Sequence, residues 1–299
     1  MIDHPSLYRA IYRIRRFEEI VLNEFPKGRF SGTTHTYLGQ EANAVGVLSH
    51  LNPGDIVVSN HRCHGHYLAY GGELRPLFAE LMGKATGVCG GRGGSQHLHW
   101  RNFYSNGILG GTLPVATGIA LAEKFKQSQV VTIVFLGDGA LGEGVLYESL
   151  NLASLWSVPI LFVLENNGLA QTTPIELNVA GDISARFTAF GIPTHQLDSS
   201  DVLEILVLAG EALQEVRTRH SPCTLILHTC RFGPHSKGDD TRSPEEIDHM
   251  RRRRDPIIIL GDRLEPPLRE KIRAEVDAEV AQAFQQALDD PFPIIDSLV

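Results

Sequence analysis

A chain of 299 residues with 42% hydrophobic content is long enough to bury a large core. Its formal net charge of -8 lacks the basic footprint of a nucleic-acid or anionic-membrane binder. Its 4 cysteines, Cys63, Cys89, Cys223 and Cys230, are too scattered to staple a fold of this size. Reduced thiols fit a cytoplasmic setting, and the N-terminus lacks the charged start, apolar stretch and small-residue cleavage site of a signal peptide. With no apolar run of membrane-spanning length, a soluble cytoplasmic protein is expected.

Residues 7–25 set Leu7, Ile11, Ile14, Ile20, Val21 and Phe25 among charges, which predicts an amphipathic helix. From 28 to 112 the composition shifts to Gly and His with short apolar pieces such as 55–59, which predicts loops joined by helices, of the kind that serve a site. An apolar run at 130–136, a helical pattern at 143–157 and a second apolar run at 159–164 form a βαβ unit. Continuous apolar strands alternating with helices imply a parallel sheet covered on both faces. A strand is predicted at 194–198, then a helix opened by Asp201 with Glu204 three residues on, then a strand at 224–230. Charged helices follow over 244–288, interrupted by Pro256, Pro266 and Pro267. The basic run Arg251 to Arg254 is flanked by acids and reads as a solvated helix face. The expected architecture is one α/β domain over residues 1–299, with a leading helix and a C-terminal helical extension.

In an open parallel sheet, ligands bind beyond the carboxyl ends of the strands. Gly137-Asp138-Gly139 follows the first apolar run, and Asn166-Asn167-Gly168 follows the second. The glycines let the backbone turn and approach a ligand, and the following helix points its N-terminus at any phosphate there. An Asp carboxylate and an Asn amide oxygen suit a hard cation that bridges the phosphate to protein. Diphosphate with Mg2+ is the natural occupant.

The segment GDGALGEGVLYESLNLASLWSVPILFVLENN resembles the thiamine-diphosphate signature, GDG followed by NN, with residues 140–165 between the halves, 26 in all. The stretches FSGTTHTYLGQEA (30–42), HRCHGHYLAYGG (61–72), GKATGVCGGRGGSQHLH (83–99), NGILGGTLPVATGIALA (106–122) and RFGPHSKGDDTRSPEEI (231–247) follow in order. They are similar to loops in the α-subunits of pyruvate, branched-chain 2-oxo-acid and acetoin dehydrogenases, HRCHGH being closest to the acetoin type. The resemblance implies a thiamine-diphosphate-binding fold in which Asp138, Asn167 and the carbonyl of Leu169 hold Mg2+. It implies further that Arg62 pairs with the diphosphate, that His235 touches the phosphate end, and that Gly139 and Ala140 line it. Gly107 and Leu109 would meet the aminopyrimidine through backbone groups, His61 would lie near the cofactor, and His35 would face the substrate. His35, His61 and His235 are the catalytic candidates.

The same resemblance implies a separate β-subunit, which supplies the carboxylate that activates the aminopyrimidine. A chain ending at 299 leaves no room for a β-type domain, so two α with two β chains are expected, with sites at their junction. The implied activity is cleavage of a 2-oxo acid or acyloin next to the carbonyl, the acyl unit passing to a lipoyl-bearing acyltransferase or carrier protein. Two alternatives are a transketolase-like enzyme moving a two-carbon ketol unit from a ketose, and a non-catalytic α-type scaffold.

Some positions depart from that pattern. Leu169-Ala170-Gln171 stands where relatives usually have Tyr-Gly or Tyr-Ala, Pro234-His235 replaces the paired histidines of branched-chain members, and Gly238 replaces a serine that many relatives carry. His61, Cys63, His64 and His66 invite comparison with a zinc cluster, but their spacing matches no ordinary structural pattern. His97 and His99 alternate as on a strand and read as surface or hydrogen-bonded histidines. Glu148 and Asn151 share a helix face suited to a subunit interface, and Trp156 is expected in the core. The Gly-rich loops 83–105 and 231–243 are expected to be mobile without cofactor.

Overall fold

The computed structural model describes residues 3–236 and 238–294. Position 237 of the expected 231–243 loop, and positions 1–2 and 295–299 of the expected domain, lie outside the described residues. Helix α1 (His4–Glu24) is capped by Asp3, whose side chain accepts from the Ser6 amide. Its buried stripe of Tyr8, Ile11, Ile14, Phe17 and Val21 steps by three and four residues along one face. The expected Leu7 and Phe25 lie at the margin of this stripe and are only partly buried.

The chain continues through α2 (Glu41–Leu48), β1 (Ile56–Ser59), α3 (Cys63–Ala69), α4 (Leu74–Leu81), β2 (His99–Trp100), β3 (Phe103–Ser105) and α5 (Thr112–Phe125). Then come β4 (Thr132–Gly137), α6 (Gly144–Leu155), β5 (Ile160–Asn166) and the short hairpin of β6 (Leu169–Ala170) and β7 (Thr173–Pro174). The last part holds α7 (Ala185–Thr188), β8 (Thr194–Asp198), α8 (Val202–Arg219), β9 (Cys223–His228), α9 (Pro244–Arg254), α10 (Pro256–Gly261) and α11 (Pro266–Asp289). Pro256 and Pro266 each open a helix, where the missing N–H costs nothing. Ser243 and Glu246 cap α9 reciprocally.

One seven-stranded sheet runs in the order β2-β3-β1-β4-β5-β9-β8, parallel except for β2 at the edge. Alternate side chains of its inner strands feed two cores. Ile133, Phe135, Leu161 and Val163 join the cluster shared with α1, α2, α8 and α11. Val134, Leu136, Phe162 and Leu164 join the cluster shared with α5 and α6. A strand buried on both faces has no polar side, which is why these runs read as continuous apolar segments.

β4 and β5 pair from Thr132↔Ile160 to Gly137↔Glu165, so the strands end level and Asp138 emerges beside Asn166 and Asn167. Two elements depart from the sequence reading. The β2–β3 hairpin adds to the sheet within a stretch expected to be loops and helices, its strands being too short to carry a period. α5 begins with Thr112-Leu113-Pro114 after two glycines, residues that read as a loop but serve as the first turn of a helix. Trp156 sits at the end of α6 and is 40% exposed, not in the core.

Buried charge braces the helical layers. Arg15 on α1 donates to Glu41 on α2 at 2.6 Å and, through both terminal nitrogens, to Asp255 at the start of α10 at 3.0 and 2.9 Å. Glu80 on α4 accepts the backbone N–H groups of Cys89, Gly91, Gly93 and Gly94 at 2.6 to 3.1 Å. One buried carboxylate thus gives partners to amides in a Gly-rich segment that has no helix or strand to pair them. Among the described residues, no helix is long and apolar enough to cross a membrane.

Candidate functional site

A cleft of about 270 Å3 opens over the carboxyl ends of β4 and β5. It brings together Asp138, Gly139, Ala140, Asn167, Leu169, Arg62, His61, Leu109 and His235 from the sequence-predicted set, with Gln40, Asn60, Glu143, Glu165 and Gln171 beside them. Gly107 and His35 are not on that lining. Gly107 packs on Gln96, whose Oε1 would overlap any Cβ placed there.

Asp138 begins a short 3-10 turn and is 2% exposed, and among the described residues its Oδ2 has no hydrogen-bond partner. Burial raises its pKa from 3.8 to about 6, against the pull of the backbone N–H groups of Asp138 and Gly139. A buried carboxylate oxygen left open in this way is costly unless a cation meets it. Asn167 is held beside it, its Nδ2 donating to Gln40 Oε1 at 3.3 Å and its Oδ1 accepting from the Leu169 amide at 3.1 Å. Gly168 has φ +77°, which lets the chain turn back here without a Cβ penalty. Leu169 lies opposite Pro174, which has no N–H to offer its carbonyl. Carboxylate, amide and carbonyl oxygens make a hard donor set suited to Mg2+, and the leucine at 169 leaves its backbone part intact.

Arg62 is 4% exposed, donating through Nη1 to the Thr36 carbonyl at 2.7 Å and through Nη2 to His235 Nδ1 at 3.2 Å. Burial, and then the guanidinium of Arg231, bring its pKa down to about 9. Arg231 is 1% exposed and donates from Nη2 to the Gln171 carbonyl at 3.1 Å, while its Nε and Nη1 have no partner among the described residues. Burial and the neighbouring Arg242 lower its pKa too. Two buried guanidiniums, one of them with open donors, call for an anion, and a diphosphate has the charge and the oxygens for it. The sequence reading missed Arg231, because a single arginine at the head of a loop carries no sign that distant segments will bury it.

Arg231→Leu is expected to weaken binding of inorganic pyrophosphate about 10- to 100-fold, the worth of charged hydrogen bonds. The thermal midpoint of the ligand-free chain should hold or rise, because the lost charge was incompletely partnered. Calorimetric titration beside a melting curve tests this, and a lower midpoint with unchanged pyrophosphate affinity would make Arg231 a structural residue.

His35, His61 and His235 cluster with ring centroids 4.6, 4.7 and 5.3 Å apart. Burial, then Arg62, lower the pKa of His35 to about 3 and that of His235 to about 4, and hold His61 well below its usual value. His235 Nδ1 accepts from Arg62, and His35 Nδ1 accepts from Gln96 Nε2 at 3.2 Å, so each carries its proton on Nε2. Neither ring nitrogen of His61 has a hydrogen-bond partner among the described residues. These are neutral imidazoles beside two guanidiniums, a setting that favours an anionic or carbonyl oxygen over a second cation.

The other histidines of the motif turn inward. His64 meets Glu18 at 3.1 Å and Ser95 at 2.9 Å, and Cys63 donates to the Ser95 carbonyl at 3.0 Å. His66 meets Ser59 at 2.7 Å and Glu165 at 3.3 Å, and stacks on Phe135. These partners are carboxylates, hydroxyls and a carbonyl. Glu165 also accepts from Asn43 at 3.1 Å and from the Tyr37 hydroxyl. Burial pushes its pKa up, but His66 and these hydrogen bonds outweigh that and hold it below the usual range. Gly65 leaves room for the Tyr37 ring against α3, where a Cβ would overlap it. His97 and His99 are exposed, His99 stacking on Tyr104, and Glu148 and Asn151 are exposed on α6.

The Dehydrogenase E1 component family matches residues 9–296 of the chain. The α-subunit of acetoin:2,6-dichlorophenolindophenol oxidoreductase from Bacillus subtilis is 37% identical over 298 residues, covering 96% of this chain and 89% of its own. The pyruvate dehydrogenase E1 component α-subunit from Zymomonas mobilis is 38% identical over 292 residues, covering 95% of this chain and 82% of its own. The corresponding pyruvate dehydrogenase subunit from Rhizobium meliloti is 37% identical over 309 residues, covering 99% and 88%. With the cleft at the strand ends and this match over nearly its whole length, the chain belongs to the dehydrogenase E1 component family of oxidoreductases.

Proposed function

We propose that this chain is the α component of a two-component thiamine-diphosphate enzyme that cleaves a 2-oxo acid or an acyloin next to its carbonyl. The observation that carries this reading is the open Oδ2 of buried Asp138 set near two buried guanidiniums, Arg62 and Arg231. Asp138, Asn167 and the Leu169 carbonyl would hold Mg2+. Arg62, Arg231 and the backbone at Gly139 and Ala140 would hold the diphosphate, with Leu109 and Gly107 toward the aminopyrimidine. When bound, thiamine diphosphate supplies an electron sink for breaking a carbon–carbon bond beside a carbonyl. His235 and His35 present Nε2–H groups, and their low basicity suits them to orient a substrate oxygen and not to hold a proton at neutral pH.

A β-subunit completes the site in this reading, as two α with two β chains, and the acyl unit leaves on a lipoyl-bearing acyltransferase or carrier protein. The relatives are named as α-subunits, and Ile108, Val115 and Leu155 around α5 and α6 are 68%, 58% and 71% exposed. Apolar side chains left open in this way fit a partner face.

The test is to co-express the chain with a β-type subunit, add thiamine diphosphate and Mg2+, and follow an artificial electron acceptor. Pyruvate, branched 2-oxo acids, acetoin and ketose phosphates are the donors. Turnover of a 2-oxo acid or acetoin is expected. Turnover of ketose phosphate alone would replace this reading with ketol transfer, and silence with coenzyme bound would leave a scaffold.

A further inference from the structure

We propose that His195, Glu215 and Cys223 form a binding site for a thiophilic divalent transition ion, Zn2+ foremost, at the sheet edge opposite the coenzyme cleft. The three residues converge from separate elements, so that one ligand atom from each lies within 4.8 Å of the others. Cys223 opens β9 in register with Leu161, near the start of β5, whereas the cleft lies past Asn166 at the other end. Five strand residues separate the two levels, roughly 17 Å, so the cluster is not part of the coenzyme site.

The geometry is close to what the ion needs. His195 Nε2 lies 2.9 Å and Cys223 Sγ lies 4.0 Å from the same oxygen, Glu215 Oε2. Tetrahedral angles with ordinary zinc–ligand lengths put N···O near roughly 3.4 Å and S···O near roughly 3.6 Å. These two separations change by only about 0.4 to 0.5 Å, one opening and the other closing, while the imidazole nitrogen and the thiol, within 4.8 Å of each other, draw in on the ion. Arg219 holds the other carboxylate oxygen, Oε1, at 2.8 Å, which leaves Oε2 facing the thiol and the imidazole. The His195 and Glu215 side chains are 32% and 20% exposed, which gives an ion a route from solvent, whereas Cys223 is buried.

The charge balance also fits. Burial and then Glu215 push the Cys223 thiol up to about 12, so it is protonated when the site is free. On binding, the S–H proton leaves to solvent and a metal–thiolate bond forms, while the imidazole proton that Nε2 donates to Glu215 is given up and Nδ1 takes one from solvent, which frees Nε2 to ligate. Thiolate and carboxylate together neutralise a divalent ion, which leaves the solvent-facing Arg219 guanidinium as the charge at this edge. Imidazole, thiolate and carboxylate are the three zinc ligand types, and the fourth position faces solvent. An ion here would pin β8, α8 and β9 to one another.

Titration of the full chain with Co2+ tests the site, because a thiolate on cobalt gives a near-ultraviolet charge-transfer band that nitrogen and oxygen ligands do not. Co2+ held by the imidazoles of His35, His61 and His235 would give no such band. The wild-type chain is expected to show the band and to melt higher with Zn2+ present, and Cys223→Ala is expected to lose both. His195→Gln, at a partly exposed position, should keep the fold and weaken Co2+ binding by at least about tenfold, the loss that follows removal even of a ligand's supporting partner. No band in the wild type, a band that survives Cys223→Ala, or unchanged Co2+ affinity in His195→Gln would overturn the proposal.

Discussion

Asp138→Asn is expected to abolish Mg2+-dependent coenzyme binding and, at the same time, to make the ligand-free chain more stable. The carboxylate is buried with one oxygen open, and its pKa rises from 3.8 unfolded to about 6 folded. Below about 4 it is protonated in both states and contributes nothing. Between the two values the folded chain holds the extra proton, so stability falls as pH rises, and above about 6 the whole cost of ionisation is present. That cost is about 3 kcal/mol at neutral pH, and an amide of the same shape removes it. Urea unfolding of both chains at pH 7 without metal, beside calorimetric titration with thiamine diphosphate and Mg2+, reads the two effects. Normal metal-dependent binding in the variant would remove Asp138 from the site, and a less stable variant would mean that the carboxylate is already compensated.

Arg15→Leu is expected to destabilise the fold by about 3–5 kcal/mol, the usual loss when one partner of a buried ion cluster is removed. Arg15 joins α1 to Glu41 of α2 and to Asp255 ahead of α10, all with little exposure. Burial already raises the pKa of Glu41 even with Arg15 in place, so without the guanidinium two buried carboxylates lose their counter-charge. Adding Glu41→Gln to Arg15→Leu should return part of the loss, since one stranded charge is then gone. Chemical denaturation reads this directly, and a loss under about 1 kcal/mol, the range of exposed pairs, would show that water reaches the cluster.

The parts legible in the sequence are those fixed by short-range physics. The runs around Ile133 and Leu161 read as strands because both faces are buried, and the polar residues after them, Asp138 and Asn167, mark the strand ends over which the cleft opens. The prolines at 256 and 266 read as interruptions of charged helices, and in the fold they open α10 and α11. What stayed hidden depends on distant segments. The hairpin at His99–Ser105 is too short to show alternation, and α5 hides its first turn behind glycines and Pro114. Arg231 enters the site only because the fold buries it near Arg62 and Asp138. His64 and His66 become structural only through Glu18 and Glu165, which lie far along the chain.

The bare α-carbon at Gly65 has a consequence beyond packing. The Tyr37 ring rests where a side chain at 65 would stand, and the hydroxyl of that ring holds Glu165, which lines the cleft. Even a methyl group at position 65 would therefore act as a lever, tipping the ring and unseating a carboxylate next to Asn166 and Asn167. In a random-mutagenesis screen, changes at 65 should register as coenzyme-binding defects although the residue does not line the cleft.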